Sequence, residues 1–439
     1  MFDMRLTEIY LRAKVAMSVV GHFPRAHDRV SRKFCWPVII CAACVSTASC
    51  GHSSVHDQQR SDESKQAISS VIRTDFVVCT LRDSPAIIKG VSYEPKDQLG
   101  IVVKGSKQDR VLRRLTGSAC FHLLLLDGPD ARVRPGQGCS VTVGDEATSI
   151  AVLDILLDER EAIRHLGNPA LIRTRTGIRF PTDRQSLNFT DRANESHRDQ
   201  GLSTLGALGV PCSQQIVCGS EAYSVRDILQ DAVATFDPAA RELEWTAMSL
   251  LFYMDPHATW TNRFGAIFSF DHIAKELLSR PLSAASCGGT HLLILFSALL
   301  DVDDNDHMLS LPVRAELQAR LREALLTALA RQAPDGHWES YQDLNMDGFG
   351  GFVERSADNS VRSRQATTAH VVLWLRTLPV QFRIPNEISI RAAQWLHASL
   401  EKVEPTDFWT DVCTATHVLA VLSAAGFDAP SQYSGTNID

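Results

Sequence analysis

At 439 residues the chain is long enough for two domains, or for one large helical body with an appended region. It carries 44 Lys and Arg against 51 Asp and Glu, a net charge of −7, with no basic stripe and no interleaving of aromatic and basic residues; nucleic acid is excluded as the main partner. A hydrophobic content of 44% suits a globular protein.

Residues 1–50 read as a signal peptide. Arg25, Arg29, Arg32 and Lys33 precede an apolar run from Phe34 to Ser49 that is short for a membrane span. The run ends in Thr47-Ala48-Ser49-Cys50-Gly51, which resembles a bacterial lipobox with Cys50 as the lipidated residue. An ordinary signal peptide and an uncleaved anchor are the alternatives, and each exports the chain. The expected location is the cell envelope, with the membrane as a partner through the lipid anchor. Four of the eleven cysteines lie in this leader, which leaves Cys79, Cys120, Cys139, Cys212, Cys218, Cys287 and Cys413. Seven is odd, so at least one is unpaired or a ligand. The spacing of Cys212 and Cys218 would allow a small local bridge.

Residues 51–74, rich in Ser, Asp, Gln and Lys, form a flexible tether. Residues 75–181 are either a mixed α/β region or the first helices of the body that follows. Short strands are expected at Phe76–Leu81 and Leu99–Val103, helices at Val111–Leu126 and Ser149–Leu166, and a strand pair between Ala170 and Phe180. Residues 182–201 read as a polar loop, 202–428 as helical repeats and 429–439 as a tail.

The repeats alternate two kinds of helix. Tyr223–Phe236, Phe270–Leu282 and the helix capped by Ser310 are amphipathic; the last has Leu317, Leu321, Leu325 and Leu329 on one face and stops at Pro334-Asp335-Gly336. Glu244–Met254, Cys287–Leu300, His370–Leu378 and Cys413–Ala425, stopped by Gly426, are apolar almost all round, as helices buried among others are. Another outer helix is expected around Ile390–Leu400. Aligning the inner helices brings Met248, His291, His370 and His417 into one register, at separations of 43, 79 and 47 residues. Repetition on that scale implies stacked helix pairs sharing one core.

The segment Gln332-Ala-Pro-Asp-Gly-His-Trp338 resembles the Q-x-x-x-G-x-W repeat of the prenyltransferase and squalene cyclase superfamily. The resemblance implies a mainly α fold, an α/α toroid of helical hairpins around a central cavity; the pattern of residues 75–181 adds a smaller mixed α/β N-terminal region. Activities vary widely on that fold, so a reaction has to be argued from the site.

Cys287 and His291 are four residues apart, as are Cys413 and His417, so each pair falls on one face of a helix near its start. Parallel inner helices would bring His291, His370 and His417 together at one mouth of the cavity as catalytic groups. With Cys287 and Cys413 they would form a ligand set suited to zinc. Asp411-Val-Cys413 also resembles the Asp-x-Cys zinc ligands of the prenyltransferases. The competing account has these histidines as satisfied core residues. Asp301-Val-Asp-Asp304 spells the Asp-x-Asp-Asp motif of squalene-type cyclases, but it follows its inner helix and reads better as a solvated acidic turn. Asp343, Asn345, Asp347 and Glu354 fit the spacing of a calcium loop, against which a polar glycine-rich loop is favoured.

These readings give an exported protein that binds a small molecule, glycan or protein in a His/Cys-lined cavity, with catalytic roles assigned to the three histidines above; the alternative is a non-catalytic envelope scaffold using the same concave surface. Catalytic histidines should lie within about 4 Å of one another, whereas packing histidines should face different neighbours.

Overall fold

The computed structural model describes residues 81–82, 84–89, 91–92, 115–135, 141–142, 149–182, 195–339 and 360–428. All belong to one unit, Phe76–Asp439. The leader with Cys50, the tether, the calcium-type loop with Asp343, Asn345, Asp347 and Glu354, and the tail lie outside the described residues. So do the strands expected at Phe76–Leu81 and Leu99–Val103, apart from Leu81, which forms a single bridge to Met254; the strand pair expected between Ala170 and Phe180 is present.

The chain is mainly helical. In order, the helices are α1 (Gly117–Asp127), α2 (Val152–Leu157), α3 (Glu159–Leu166), α4 (Gln200–Ala207), α5 (Val225–Ala234), α6 (Leu243–Tyr253) and α7 (Phe270–Leu278). They continue as α8 (Thr290–Asp306), α9 (Leu311–Arg331), α10 (Val361–Thr377), α11 (Asn386–Leu400), α12 (Pro405–Phe408) and α13 (Val412–Ala424). Strands are short. β1 (Arg132–Pro135) pairs with β2 (Val141–Thr142) and β3 (Ile150–Ala151), and three hairpins follow: β4 (Ile172–Arg173) with β5 (Ile178–Arg179), β6 (Gln215–Cys218) with β7 (Glu221–Ser224), and β8 (Trp260–Thr261) with β9 (Ile267–Phe268). No helix among the described residues is long and apolar enough to cross a membrane.

The two helix kinds pack as their patterns dictate. α1 packs on α4, α4 on α6, α6 on α8, α8 on α10, α10 on α13, and α13 back on α1. Every residue of α6 is buried, because it has helices on several sides. The amphipathic helices lie against these six: α5 on α4 and α6, α7 on α6 and α8, α9 on α7 and α8, and α11 on α10 and α13. Because α1 touches both α4 and α13, the first described helix is integral to the same core as the last.

The Gln332–Trp338 turn fastens three helices. Gln332 Nε2 donates to the carbonyls of Gly336 (2.8 Å) and of Ile388 on α11 (3.0 Å). Trp338 is fully buried; its indole N–H donates to Ala328 of α9 (2.8 Å) and its backbone N–H to Thr368 Oγ1 of α10 (3.1 Å). Gly336 has φ 108°, and a Cβ there would stand 2.4 Å from the Arg391 carbonyl, so only glycine fits.

Several expectations are corrected. Ser149–Leu166 is not one helix, because Asp158 leaves helical geometry (φ −116°, ψ 116°) and accepts from Arg160 N to cap α3. α10 begins at Val361, nine residues before His370, and α4 begins at Gln200 inside the expected loop. Cys212 and Cys218 are separate buried thiols. Asp301–Asp304 is no solvated turn but the last stretch of α8, where Asp303 is buried, accepts from Leu309 N (2.7 Å) and pairs with Arg314. A carboxylate so placed caps the helix junction, and it lies at the opposite end of α8 from His291.

Ser310 stands at the N-cap of α9 without a side-chain capping bond; its N–H instead donates to Asp271 in the first turn of α7 (2.7 Å). Burial raises the Asp271 carboxyl, but hydrogen bonds from Lys275 and Ser310 outweigh it, and the net shift is below the ordinary value of 3.8. A depressed folded pKa gives stability that is present above 3.8 and lost as pH falls through the folded value. Asp271→Asn is therefore expected to cost about 1 kcal/mol at neutral pH. In urea titrations at falling pH, the gap between variant and wild type should close in acid.

Candidate metal centre

Side chains of α1, α10 and α13, with α8 and the turn before it, meet in a cluster of imidazoles and thiols. His370 and His417 have ring centroids 4.2 Å apart, at 68°. His291 lies 5.4 Å from His370 and 6.3 Å from His417, so the three histidines aligned by register share one site. Cys413 Sγ is 3.5 Å from His417 Nδ1, the contact expected of an i, i+4 pair on α13, and 3.9 Å from His370 Nε2.

The Cys287–His291 pair forms differently. Cys287 does not belong to α8 but to a turn before it, in which Cys287 (φ 47°), Gly288 (φ 63°) and Gly289 (φ 92°) are all left-handed. The small residues Ser286-Cys-Gly-Gly289 allow that path, and a Cβ at Gly289 would strike the Leu282 carbonyl at 2.7 Å. The turn is pinned from α6: Glu244 accepts from Ser286 N and Oγ, both at 2.7 Å, and Trp245 Nε1 donates to Ser286 Oγ at 3.0 Å. Asp199 (φ 61°) and Glu242 (φ 56°), just before α4 and α6, are also left-handed. Such non-glycine conformations cost of order 1–3 kcal/mol each, and two of them, Cys287 and the Glu242 that holds His197, bear on this site. Asp199 is held by Thr246 Oγ1 (2.5 Å) and by its own N–H donating to Glu195 (3.0 Å).

Two histidines join that the repeat register did not include. His122 of α1 lies 5.5 Å from His417, centroid to centroid. It carries the same signature as the others, an aliphatic run directly after the ring (Leu123 to Leu126), in a stretch read either as mixed α/β or as the first helices of the body. His197, before α4, stacks on Trp245 (5.3 Å, 12°) and is held at Nδ1 by Glu242 (3.0 Å). No spacing in the sequence announces it.

Charge is unevenly shared. A hydrogen bond from Cys413 lowers Cys287 well below the ordinary thiol value and raises Cys413 well above it, so the pair holds one proton. Burial pulls His197 down, but hydrogen bonds to Cys287 and Glu242 outweigh it and raise the ring to about 9. Burial likewise opposes His370, yet the Cys287 charge leaves it raised. His122 is lowered by burial to about 4, and His417 is lowered well below 6.5 by burial and then by His370, so both present neutral rings.

Two sets of three donors have ligand atoms mutually within 4.8 Å: Cys287, His370 and Cys413, and His122, Cys413 and His417. These buried groups could hold a metal ion. His291 belongs to neither set among the described residues. With His122, His370 and His417 it lines a cavity of about 280 Å³ whose walls come from all six core helices, including Leu125, Met248, Ile294 and Leu373. Thr204, whose buried Oγ1 has no hydrogen-bond partner among the described residues, also lines the cavity.

The chain matches no family model, no curated protein and no solved structure.

Proposed function

We propose that this is an exported, lipid-anchored envelope protein with an α/α-toroid body, and that its cavity brings a substrate to a zinc ion held by Cys287, Cys413 and His370. One observation carries the reading: the donor atoms of those three residues lie within 4.8 Å of one another beside a partly apolar cavity. The toroid is supported by the packing of each core helix on the next and of α13 on α1, with amphipathic helices outside. Export and anchoring rest on the sequence from Arg25 to Gly51.

Two thiolates and one imidazole suit zinc, and three protein ligands leave a fourth position for water or substrate. His370 Nδ1 is bound to the Ala366 carbonyl (2.8 Å), which directs Nε2 to the site, the usual support of a ligating ring. A zinc ion there would supply a Lewis acid and a water that ionises near neutral pH. His291, tilted on Trp245 at 4.5 Å and facing the cavity, is placed to take or give a proton at a bound substrate.

Elemental analysis of the full-length protein, purified without chelator, is expected to find at least one zinc per chain, and His370→Ala to lose at least one equivalent. Metal-free wild type, with His370→Ala equally stable, would overturn the proposal in favour of a non-catalytic scaffold.

A further inference from the structure

We propose that the cluster holds two metal ions bridged by the Cys413 thiolate, one also bound by Cys287 and His370, the other by His122 and His417. The inference rests on the metal reading above and extends it with a second centre.

The argument is geometric. A single tetrahedral zinc, with thiolates at about 2.3 Å and imidazole nitrogens at about 2.0 Å, brings all its donors within roughly 3.3–3.8 Å of each other. The donors here do not gather that way. His370 falls in one close set, His122 and His417 in the other, and no set among the described residues contains both His370 and His417. What the two sets share is Cys413, whose Sγ stands 3.5 Å from His417 Nδ1 and 3.9 Å from His370 Nε2. The first distance matches a tetrahedral edge between sulfur and nitrogen, and the second exceeds it by a few tenths of an ångström.

The rings are prepared for two ions. His122 and His370 each present Nδ1 to a backbone carbonyl one helical turn earlier, Ser118 and Ala366, both at 2.8 Å. Each then carries its proton on Nδ1 and turns the Nε2 lone pair to the cluster. If His122 were only a packing residue, nothing would require that its ring stand beside a thiol already close to three other donors. Thiolate is also the protein ligand best able to bridge, since sulfur has lone pairs for two metals.

Charge then bears on the ligand. Two zinc ions bring +4 and two thiolates −2, so a net +2 faces the cavity where His122, His370 and His417 line it. Each ion has three protein donors, leaving one position apiece. Hydroxide, or an anionic oxygen of the substrate such as a carboxylate or phosphate, would span both positions and offset the charge.

Stoichiometry tests this directly. Cobalt(II) added to metal-free, full-length wild type should raise thiolate-to-cobalt absorption with an end point at two equivalents per chain, and zinc should displace two. His122→Ala should bind one equivalent, with circular dichroism confirming its fold. The wild-type end point needs no variant: a break at one equivalent overturns the second centre but leaves the single-zinc reading standing. Failure to bind cobalt or zinc at all overturns both.

Discussion

Removing metal from the wild-type protein is expected to lower its melting temperature by about 5 °C, and Cys413→Ala to abolish that response. An ion that binds only the folded state stabilises it by about 2.7 kcal/mol when its free concentration is a hundred times its dissociation constant. For domains of 150–250 residues each kcal/mol moves the midpoint by roughly 2–4 °C, and by less in a unit this size, which gives the expected shift. Cys413 is the residue to change because it is common to both donor sets, and without it each set retains only two donors. The sign with pH follows from the shared proton. Binding must expel it from the Cys287–Cys413 pair, so protons compete with metal and the stabilisation grows as pH rises. Scanning calorimetry with and without chelator checks both points. A wild-type midpoint that ignores chelator across neutral pH would show that no metal is held.

The helical character and the convergence of three histidines were legible because a repeated environment leaves a repeated pattern. His291, His370 and His417 are each followed by an aliphatic run, which marks a buried helix with one polar group facing a common space. That same signature marks His122 in the helix expected over Val111–Leu126, but it stands outside the repeat register, and the long-range return of α13 onto α1 has no local trace. His197 and Glu242 were illegible for a different reason. They sit at helix entries, His197 in a loop and Glu242 in a left-handed conformation, and their meeting depends on how α4 and α6 are mutually placed. Spacing also misled in one respect. Cys287 and His291 suggested one helical turn, whereas Gly288 and Gly289 let the chain break from helix and deliver the sulfur by another path. The two glycines were the available warning. Asp303 shows the converse error, since an acidic run suggests water, yet one member is buried where an arginine from the next helix can reach it.

Trp338→Ala is expected to destabilise the protein by about 3–5 kcal/mol, the range for truncating a large buried aromatic. Trp338 is fully buried between α9 and α10, and its indole N–H donates to Ala328. That carbonyl also accepts from Gln332 N (3.1 Å), so it keeps a partner, and the cost is one of cavity and lost contact rather than an orphaned polar group. Trp338→Phe should cost less, about 1–2 kcal/mol, since it keeps much of the ring volume and gives up one hydrogen bond. The change should reach the metal as well. The Trp338 backbone N–H holds Thr368, two residues before His370, so a collapsed turn loosens the segment that aims the His370 ring. Zinc affinity should therefore fall in Trp338→Ala by up to the 10–100-fold typical of lost support around a ligand. Urea unfolding at saturating and at zero zinc separates the two effects. A variant within 1 kcal/mol of wild type would mean that the Gln332–Trp338 turn does not clamp these helices, and unchanged zinc affinity would cut its link to the site.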